Sequence, residues 1–504
     1  MTEKQAPPNR SESSLTEVGS ERARTTQPAE KEPAHIEQQP EIDPVLSKRI
    51  TRKCDLHIIP WLFGIWLFAF IDRSNIGNAR IDGLTEDLKL TGTDFNVALV
   101  VFYVPYILVD VPSNWIVKHF KAGRYLPFLI TSWGVVSTFL GFTKSYGGLV
   151  AARFFLGLCE GGLLGGMIVY LAMFYRRTEM LYRIGLFYCA APLSGAFGGL
   201  LATGLAKINT GGYDGWPWIF FIEGVITVCF GILCFLFMPN TPADAIFFTE
   251  EERSMAQVRM MHDAHGSTKH SDVNNEKFDW HWVRMALLSP NTMFCSLAWF
   301  FLLVPLYSFS LFLPTIIKAL GYSATKAQLF SVPPNMCAFV CVLITAGLSD
   351  RLRARGPFMI GGAIVAIAGY IMLLVASKPA VRYGGTFLVA SGVFTGSPMV
   401  MGWLSNNTAP HFVRATASGF QIAFANCAAF IATFTYLQKD GPDYKLGHSL
   451  NIGALVLCII TVAAGIFYCR WENAKRDRGE RDHRLTDEDE SRLGHRHPNF
   501  RYAI

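Results

Sequence analysis

Long apolar blocks separated by short polar stretches make up most of the sequence between residues 58 and 470. An α-helix needs about 20 predominantly apolar residues to cross a bilayer. The blocks predict twelve membrane-spanning helices, at residues 58–80, 94–117, 124–142, 147–172, 182–206, 216–238, 292–317, 326–349, 357–377, 384–405, 414–436 and 449–470. We therefore expect an all-α membrane protein.

Three polar segments divide the predicted helices into two groups of six. Residues 1–57 form a polar N-terminal tail that we predict to be disordered, and residues 471–504 form a C-terminal tail. Residues 239–290 form a central loop, where Thr249 and Glu252 have the spacing of a capping box and predict a short surface helix. The two groups predict six-helix bundles at residues 58–238 and 291–470.

Lysines and arginines cluster on one side of the predicted spans. Since positive residues favour the cytoplasmic side, we expect both tails and the central loop to be cytoplasmic. The clusters are Lys48, Arg49, Arg52 and Lys53, then Lys118, Lys121 and Arg124, then Arg176, Arg177 and Arg183, then Arg351, Arg353 and Arg355, and the tail from Arg470.

Composition supports the membrane prediction and argues against other classes. Only 17% of the 504 residues are charged, whereas a soluble domain has about 25%. The formal net charge of +6 is spread over short clusters, which argues against nucleic acid as a partner. The eleven cysteines lie mostly within apolar blocks without the spacing of a metal site or disulfide framework, and no catalytic motif is visible. We expect neither a metal nor an enzymatic activity.

Charges inside the predicted first span are the main functional signal. Only 14 uncharged residues of this span precede Asp72, so Asp72 and Arg73 must lie at membrane depth. Each charge costs about 2.5–3.5 kcal/mol near a helix centre, and such residues usually face protein or water. Asn75 and Asn78 follow Asp72 at three-residue spacing on the same helix face, and we assign them a structural or gating role. A structural salt bridge is the alternative interpretation.

The fourth predicted span adds Arg153 and Glu160, seven residues apart on one helix face. Contact with the first span would bring Asp72 and Glu160 close to Arg73 and Arg153. An anionic substrate that engaged an arginine would then tip a neighbouring carboxylate towards protonation. This arrangement predicts proton coupling by Asp72 and Glu160 and anion binding by the two arginines.

Other polar residues within the spans are weaker candidates, because each has an ordinary packing role as its alternative. We predict substrate contact for Tyr106, Trp403, Asn407 and Asn426, and a structural or gating role for Asp110 and Glu223.

Four short motifs lie in the predicted spans: Asp72-Arg73-Ser-Asn75 in the first, Val111-Pro112-Ser113-Asn114 in the second, Arg153 with Glu160 in the fourth, and Trp216-Pro-Trp218 at the sixth. In these motifs the sequence resembles the major facilitator superfamily, and more narrowly the fungal allantoate permease-like branch of its anion:cation symporter family. The resemblance covers about residues 45–475. The superfamily's loop signature is degraded after the second span, but its second copy is kept at Asp350-Arg351 and implies gating there.

This resemblance implies that Arg73 binds a substrate carboxylate while Asp72 and Glu160 carry protons. The implied function is proton-coupled uptake of a small organic anion, such as a carboxylate vitamin or a nitrogen-source metabolite, by alternating access. The expected protein is a monomer in the plasma membrane that uses the proton gradient and no cofactor. An exporter of drugs or metabolites is the alternative, and a multi-span receptor is a distant one. Pro217 stands where related fungal sequences usually have a basic residue, which leaves the substrate open.

Overall fold

The structure is a computed structural model that describes residues 43–265, 280–352, 354–487 and 492–504. Within these ranges almost all regular structure is helical. The helices are α1 (Pro44–His57), α2 (Ile59–Ala79), α3 (Thr85–Asp87), α4 (Asp94–Phe120), α5 (Ala122–Leu140), α6 (Tyr146–Glu160), α7 (Leu163–Phe174), α8 (Arg177–Tyr188), α9 (Ala190–Leu205), α10 (Pro217–Phe237), α11 (Glu250–His265), α12 (Trp280–Leu287), α13 (Pro290–Ala319), α14 (Ala324–Phe330), α15 (Val332–Leu352), α16 (Gly356–Val375), α17 (Pro379–Asn406), α18 (His411–Asn426), α19 (Ala428–Ala432), α20 (Lys445–Asp477) and α21 (Arg484–Asp487).

Short irregular elements complete the fold. A π-helical segment, Arg80–Leu84, follows α2, and 3-10 turns lie at Pro242–Asp244, Gln438–Asp440 and Gly494–Arg496. Two short antiparallel strands, β1 (Asn209–Thr210) and β2 (Tyr213–Asp214), form a hairpin before α10.

Among the residues that the structure describes, ten helical stretches of at least 18 residues are apolar enough to cross a membrane. Helices α4 and α5 have 27 and 19 residues and lie between the first two of these stretches. Together they give twelve spans, which confirms the predicted all-α membrane fold. Four of the spans consist of two consecutive helices, namely α6 with α7, α8 with α9, α14 with α15, and α18 with α19.

The break between α6 and α7 determines where Glu160 lies in the fourth span. Helix α6 ends at Glu160, and two glycines follow it. Gly162 has a left-handed backbone with φ of 83°, which suits a residue without a Cβ. A Cβ at this position would also overlap the Ser113 side chain of α4. The glycines therefore let α6 stop next to α4, with Glu160 as its last residue.

Glycines also allow helices to approach one another closely elsewhere. A Cβ on Gly157 of α6 would overlap the carbonyl oxygen of Phe102 in α4. Across the two halves, a Cβ on Gly77 of α2 would overlap the carbonyl oxygen of Leu311 in α13. Small residues at such positions are typical of helix packing in membranes. They bring the fourth span against the second, and the first span against the second bundle.

Residues 44–57 correct the prediction of a disordered tail, because they form α1. Ser47, Ile50 and Cys54 bury one face of this helix, which packs against α2 and α11. The remainder of the predicted tail, residues 1–42, lies outside the described residues. The predicted capping box is confirmed, since the Thr249 amide donates to Glu252 Oε2 at 2.9 Å and the Glu252 amide donates to Thr249 Oγ1 at 3.3 Å.

The C-terminal segment folds back onto the second bundle. The side chain of Asn473 in α20 donates to the carbonyl oxygen of Tyr502 and accepts from its amide, both at 2.9 Å. Asn407, next to α17, pairs in the same way with the backbone of Ala503 at 2.9 and 2.7 Å. Arg476 donates to the carbonyl oxygen of Phe500 at 2.5 Å. The last residues thus link the ends of α17 and α20.

Hydrogen bonds join the two halves at the end of the bundle that we predict to face outward. Lys318 Nζ donates to the carbonyl oxygen of Ile81 at 3.3 Å. The amide of Gln328 donates to Asp82 Oδ2 at 3.3 Å, and its carbonyl oxygen accepts from Thr203 Oγ1 at 3.1 Å. These bonds hold the two halves together at this end of the bundle.

Candidate functional site

A buried ion pair joins Arg73 of α2, in the first span, to Glu160 of α6, in the fourth. Five aromatic rings have their centroids within 6 Å of the guanidinium carbon, and each can interact favourably with the cation. They are Phe70 at 4.9 Å, Phe102 at 5.6 Å, Tyr103 at 5.9 Å, Tyr106 at 5.5 Å and Tyr307 at 5.7 Å. Because the surroundings exclude water, electrostatic interactions there are stronger than in solvent.

The side chain of Asp72, the residue before Arg73 on α2, is held by α5. Its carboxylate accepts hydrogen bonds from the indole Nε1 of Trp133 and, at 3.2 Å, from Ser137 Oγ. Both donors are neutral, so the buried Asp72 has hydrogen-bond partners but makes no ion pair among the described residues. Sequence reasoning misses Trp133 and Ser137, although they lie one helical turn apart on one face of an apolar helix.

Arg153 lies two turns before Glu160 on α6 and is equally buried. Within the described part of the chain, its Nε and Nη2 atoms have no hydrogen-bond partner. An unpaired buried donor is costly, and for a charged group more so. Arg153 therefore offers two donors to a ligand that enters the bundle.

Asn75 and Glu223 form a second polar contact, in which the Asn75 side-chain amide donates to Glu223 Oε2. Both residues are buried. The other oxygen of each side chain, Asn75 Oδ1 and Glu223 Oε1, has no hydrogen-bond partner among the residues described. This contact ties the sixth span to the first.

Asp72, Arg73, Arg153 and Glu160 are called the charged cluster below. A narrow cavity lies between the two halves, next to this cluster. Its polar lining includes Ser74 and Asn78 of α2, Ser194 of α9, Ser310 of α13 and Asn335 of α15. The cavity volume is about 20 Å³, which is room for about one water molecule. This cavity is too small to hold a substrate unless the two halves move apart.

Besides the two arginines, the structure brings two predicted substrate contacts, Tyr106 and Asn426, to the charged cluster. Asn426 of α18 accepts a 2.5 Å hydrogen bond from the hydroxyl of Tyr307, whose ring lies beside Arg73. Sequence reasoning misses Tyr307, which links the second half to the guanidinium. Asp110 is buried in α4, and one of its oxygens has no partner within the described ranges.

The structure places the polar groups of Trp403 and Asn407 against the C-terminal segment and not beside Arg73 and Glu160, and substrate contact for them stays a prediction. The Trp403 indole donates to the carbonyl oxygen of Ala503 at 2.9 Å, and Asn407 pairs with the backbone of the same residue. Their polar groups are engaged by the C-terminal segment because that segment folds back over the end of α17. Sequence position alone does not reveal this docking.

The predicted gating residues Asp350 and Arg351 lie at the end of α15. Asp350 Oδ1 pairs with Arg355 Nη2 at 2.9 Å, and Arg355 Nη1 also donates to Ser349 Oγ at 3.0 Å. The amide of Arg355 donates to the carbonyl oxygen of Ile504 at 2.8 Å. Arg351 is exposed. The loop signature therefore links α15 and α16 to the docked C-terminal segment.

Comparison with known proteins identifies transporters. Residues 62–434 match the family model described as the Major Facilitator Superfamily. An uncharacterized transporter of Schizosaccharomyces pombe is 38% identical over 92% of this chain and 91% of its own length. The high-affinity nicotinic acid transporter of Saccharomyces cerevisiae is 30% identical over 91% of this chain and 85% of its own length.

Solved structures agree on the fold. A partially occluded, inward-open structure of the xylose transporter XylE from E. coli matches with a TM-score of 0.60 at 15% identity, over 80% of this chain and 96% of that chain. A bacterial homologue of the human lysosomal transporter Spinster, inward-facing and occupied, matches with a TM-score of 0.59 over 82% of this chain and 96% of that chain. The chain belongs to the major facilitator superfamily, and its relatives are fungal membrane transporters.

Proposed function

We propose that this transporter takes up a small organic carboxylate together with protons. The observation that carries the proposal is the buried Arg73–Glu160 ion pair within its ring of aromatic side chains. In this arrangement a carboxylate of the protein occupies the position that a substrate carboxylate would take. We further propose that the protein acts as a monomer in the plasma membrane, with the proton gradient as its only driving force.

Substrate binding and protonation would be coupled by competition for Arg73. A substrate carboxylate that engages the guanidinium displaces Glu160. A buried carboxylate without its counter-charge is costly, so Glu160 takes up a proton when it loses Arg73. The neutral carboxyl group then lets the loaded protein change conformation without an unpaired buried charge. Release of the substrate and the proton on the inner side restores the ion pair.

Asp72 and Arg153 would complete this mechanism. The unpaired Nε and Nη2 atoms of Arg153 can bind a second polar group of the substrate or stabilise Glu160 when it is displaced. Asp72, held by the neutral donors Trp133 and Ser137, can exchange a proton without breaking an ion pair. We propose it as the second proton carrier.

Similarity to the nicotinic acid transporter suggests an aromatic carboxylate as the first substrate to test. Radiolabelled nicotinate should accumulate in cells that express the chain and lack their own uptake, and a protonophore should abolish the accumulation. Pantothenate, allantoate, dipeptides and dicarboxylates form the comparison panel. If no compound accumulates but efflux of a preloaded compound rises, the protein is an exporter and the proposal is wrong.

Glu160→Gln tests the coupling step directly. Glutamine keeps the size and a hydrogen-bond acceptor for Arg73 but cannot bind the proton. We expect net accumulation against a gradient to be lost, while exchange of labelled for unlabelled substrate across the membrane continues. The matched control is Glu250→Gln at the exposed start of α11, which should leave both measurements unchanged. Accumulation by Glu160→Gln at the level of the unmodified protein would contradict the mechanism.

A further inference from the structure

A second charged site lies at the end of the first bundle that we predict to be cytoplasmic, outside the membrane-embedded cluster. Here α1 borders a cleft of about 430 Å³ together with the start of the fifth span. Lys48, Thr51 and Arg52 line the cleft from α1, and Arg176 and Glu179 line it from the opposite side. The transport mechanism uses none of these residues.

The acidic residues of the cleft are already neutralised by neighbouring arginines. Asp55 accepts two hydrogen bonds from Arg183, at 2.6 and 2.8 Å. Glu179 accepts two from Arg259, both at 2.8 Å. The remaining cations of the cleft therefore determine its net charge, which is positive.

The basic residues of α1 form two adjacent stripes with different partners. Arg49 and Lys53 both pair with Glu252 at the start of α11, at 3.1 and 2.6 Å. This stripe holds the central loop against α1. Lys48 and Arg52, one residue earlier in each case, are exposed and make no ion pair with any described residue. One stripe is structural and the other is free to bind a ligand.

Arg176 is a second feature of the cleft that suits an anion. Its Nη2 atom bonds to Ser47 Oγ at 3.2 Å and Glu179 Oε1 at 3.3 Å. Its Nε atom is buried and has no hydrogen-bond partner in the described part of the chain. Since an unpaired buried donor is costly, a ligand oxygen at this position would stabilise the site.

Exposed apolar residues beside the free cations indicate where the ligand comes from. Val45 and Leu56 are 75% and 64% exposed. On α1 they flank Lys48 and Arg52 along one helix face, at helical spacing. A helix with apolar and basic residues on its exposed surface, directly before a membrane span, suits the boundary between lipid head groups and acyl chains.

We propose that this cleft binds the head group of an anionic phospholipid of the adjacent leaflet. The phosphate oxygens would contact Lys48, Arg52 and the free Nε of Arg176, while Val45 and Leu56 enter the acyl region. A head group with several phosphates fits best, because the cleft has more than one unpaired cation. Such binding would hold α1, and through it the central loop, against the membrane surface.

Lipid binding to the purified full-length chain in detergent tests this proposal. The probe is short-chain phosphatidylinositol bisphosphate, titrated while the thermal unfolding midpoint is followed. Each basic residue near an anionic surface contributes about 1 kcal/mol, so Lys48→Gln with Arg52→Gln should weaken binding by about 30-fold. Raising the salt concentration should weaken binding to the unmodified protein as well. Equal affinity of the double variant would overturn the site.

Two controls separate this site from non-specific attraction and from a soluble ligand. Arg351→Gln with Arg470→Gln removes two exposed cations outside the cleft and should change the affinity by less than about threefold. An equal loss in this control would mean diffuse attraction and overturn the proposal. Soluble inositol trisphosphate should bind much more weakly than the lipid. If it binds as tightly, the ligand is a soluble phosphate and the assignment to lipid is wrong.

Discussion

At the scale of single residues, the proposed mechanism depends on whether a buried charged side chain can exchange its ion-pair or hydrogen-bond partner for another. Arg73 is bound by Glu160, a side chain that can leave if another carboxylate replaces it. Asp72 has neutral donors, so it can change its protonation without releasing a cation. Truncating either member of a buried ion pair costs about 3–5 kcal/mol, because the remaining charge is left unpaired. Exchange of partners avoids that cost.

Asn407 allows a test between substrate contact and tail docking. Asn407→Ala removes two hydrogen bonds to the backbone of Ala503. We expect the free energy of unfolding to fall by roughly 1–3 kcal/mol, while the KM for uptake stays the same. Thermal unfolding and concentration-dependent uptake measure the two quantities.

Removal of Ala503 and Ile504 provides the comparison for Asn407→Ala. Since both changes break the same contact, their effects on the unfolding midpoint should not add when they are combined. A raised KM in Asn407→Ala with an unchanged midpoint would show that this residue binds substrate after all.

At the scale of helices, the ion pair depends on how closely α6 approaches α4. Gly157 lets the α6 backbone contact the Phe102 carbonyl oxygen, one turn before Glu160. The break at Gly161 and Gly162 ends α6 at the carboxylate. The charged residue is thus positioned by glycines that carry no charge themselves.

Gly157→Ala should therefore disturb both stability and transport. The added methyl group forces α6 away from α4, at a cost of roughly 1–3 kcal/mol. Moving α6 also separates Glu160 from Arg73, so we expect uptake to fall together with the unfolding midpoint. Gly361→Ala in α16 is the matched control, because a Cβ there meets no atom within 4 Å. If Gly157→Ala changes uptake and the unfolding midpoint as little as Gly361→Ala does, the close contact is unimportant.

At the scale of the whole molecule, hydrogen bonds at the predicted outer end join the two halves. The side chain of Gln328 in α14 bonds to two elements of the first half, through Thr203 and Asp82. The cavity beneath is too small for a substrate. Movement of one half against the other must break these bonds before outer access is possible.

Gln328→Ala should increase access from the outer side. The reporter is Ser194→Cys in the cavity lining, labelled in intact cells by a membrane-impermeant maleimide. We expect labelling to become several-fold faster when Gln328→Ala is added, because two bonds between the halves are lost. Lys207→Ala, an exposed change near the same end, should not alter the rate. The protein that keeps Ser194 measures the background rate of maleimide labelling at its own cysteines.

The charged part of the site can be predicted from the sequence because charges within apolar helices are rare. Asp72, Arg73 and Glu160 stand out in this way from their neighbours along the chain. Trp133 and Tyr307 do not, since aromatic residues in membrane helices are usually packing residues. Their importance follows from which polar atom each contacts, and that depends on the packing of helices far apart in the sequence.

The differences between the sequence predictions and the structure also have physical causes. The polar composition of residues 44–57 predicts a disordered tail, yet Ser47, Ile50 and Cys54 follow a helical period and bury one face. Asn407 is polar within an apolar span, which by itself favours contact with a substrate. Its partner Ala503 lies 96 residues further along the chain, and no local pattern indicates that contact.

The aromatic rings around Arg73 also set a rule about the shape of the anion. A carboxylate is flat, as is the guanidinium, so it can replace Glu160 between the rings without displacing them. A sulfonate is tetrahedral, and its third oxygen would press against a ring. For nicotinate as the proposed substrate, we therefore expect pyridine-3-sulfonate to compete for uptake about tenfold more weakly than unlabelled pyridine-3-carboxylate does. Equal competition would mean that the rings select for charge alone.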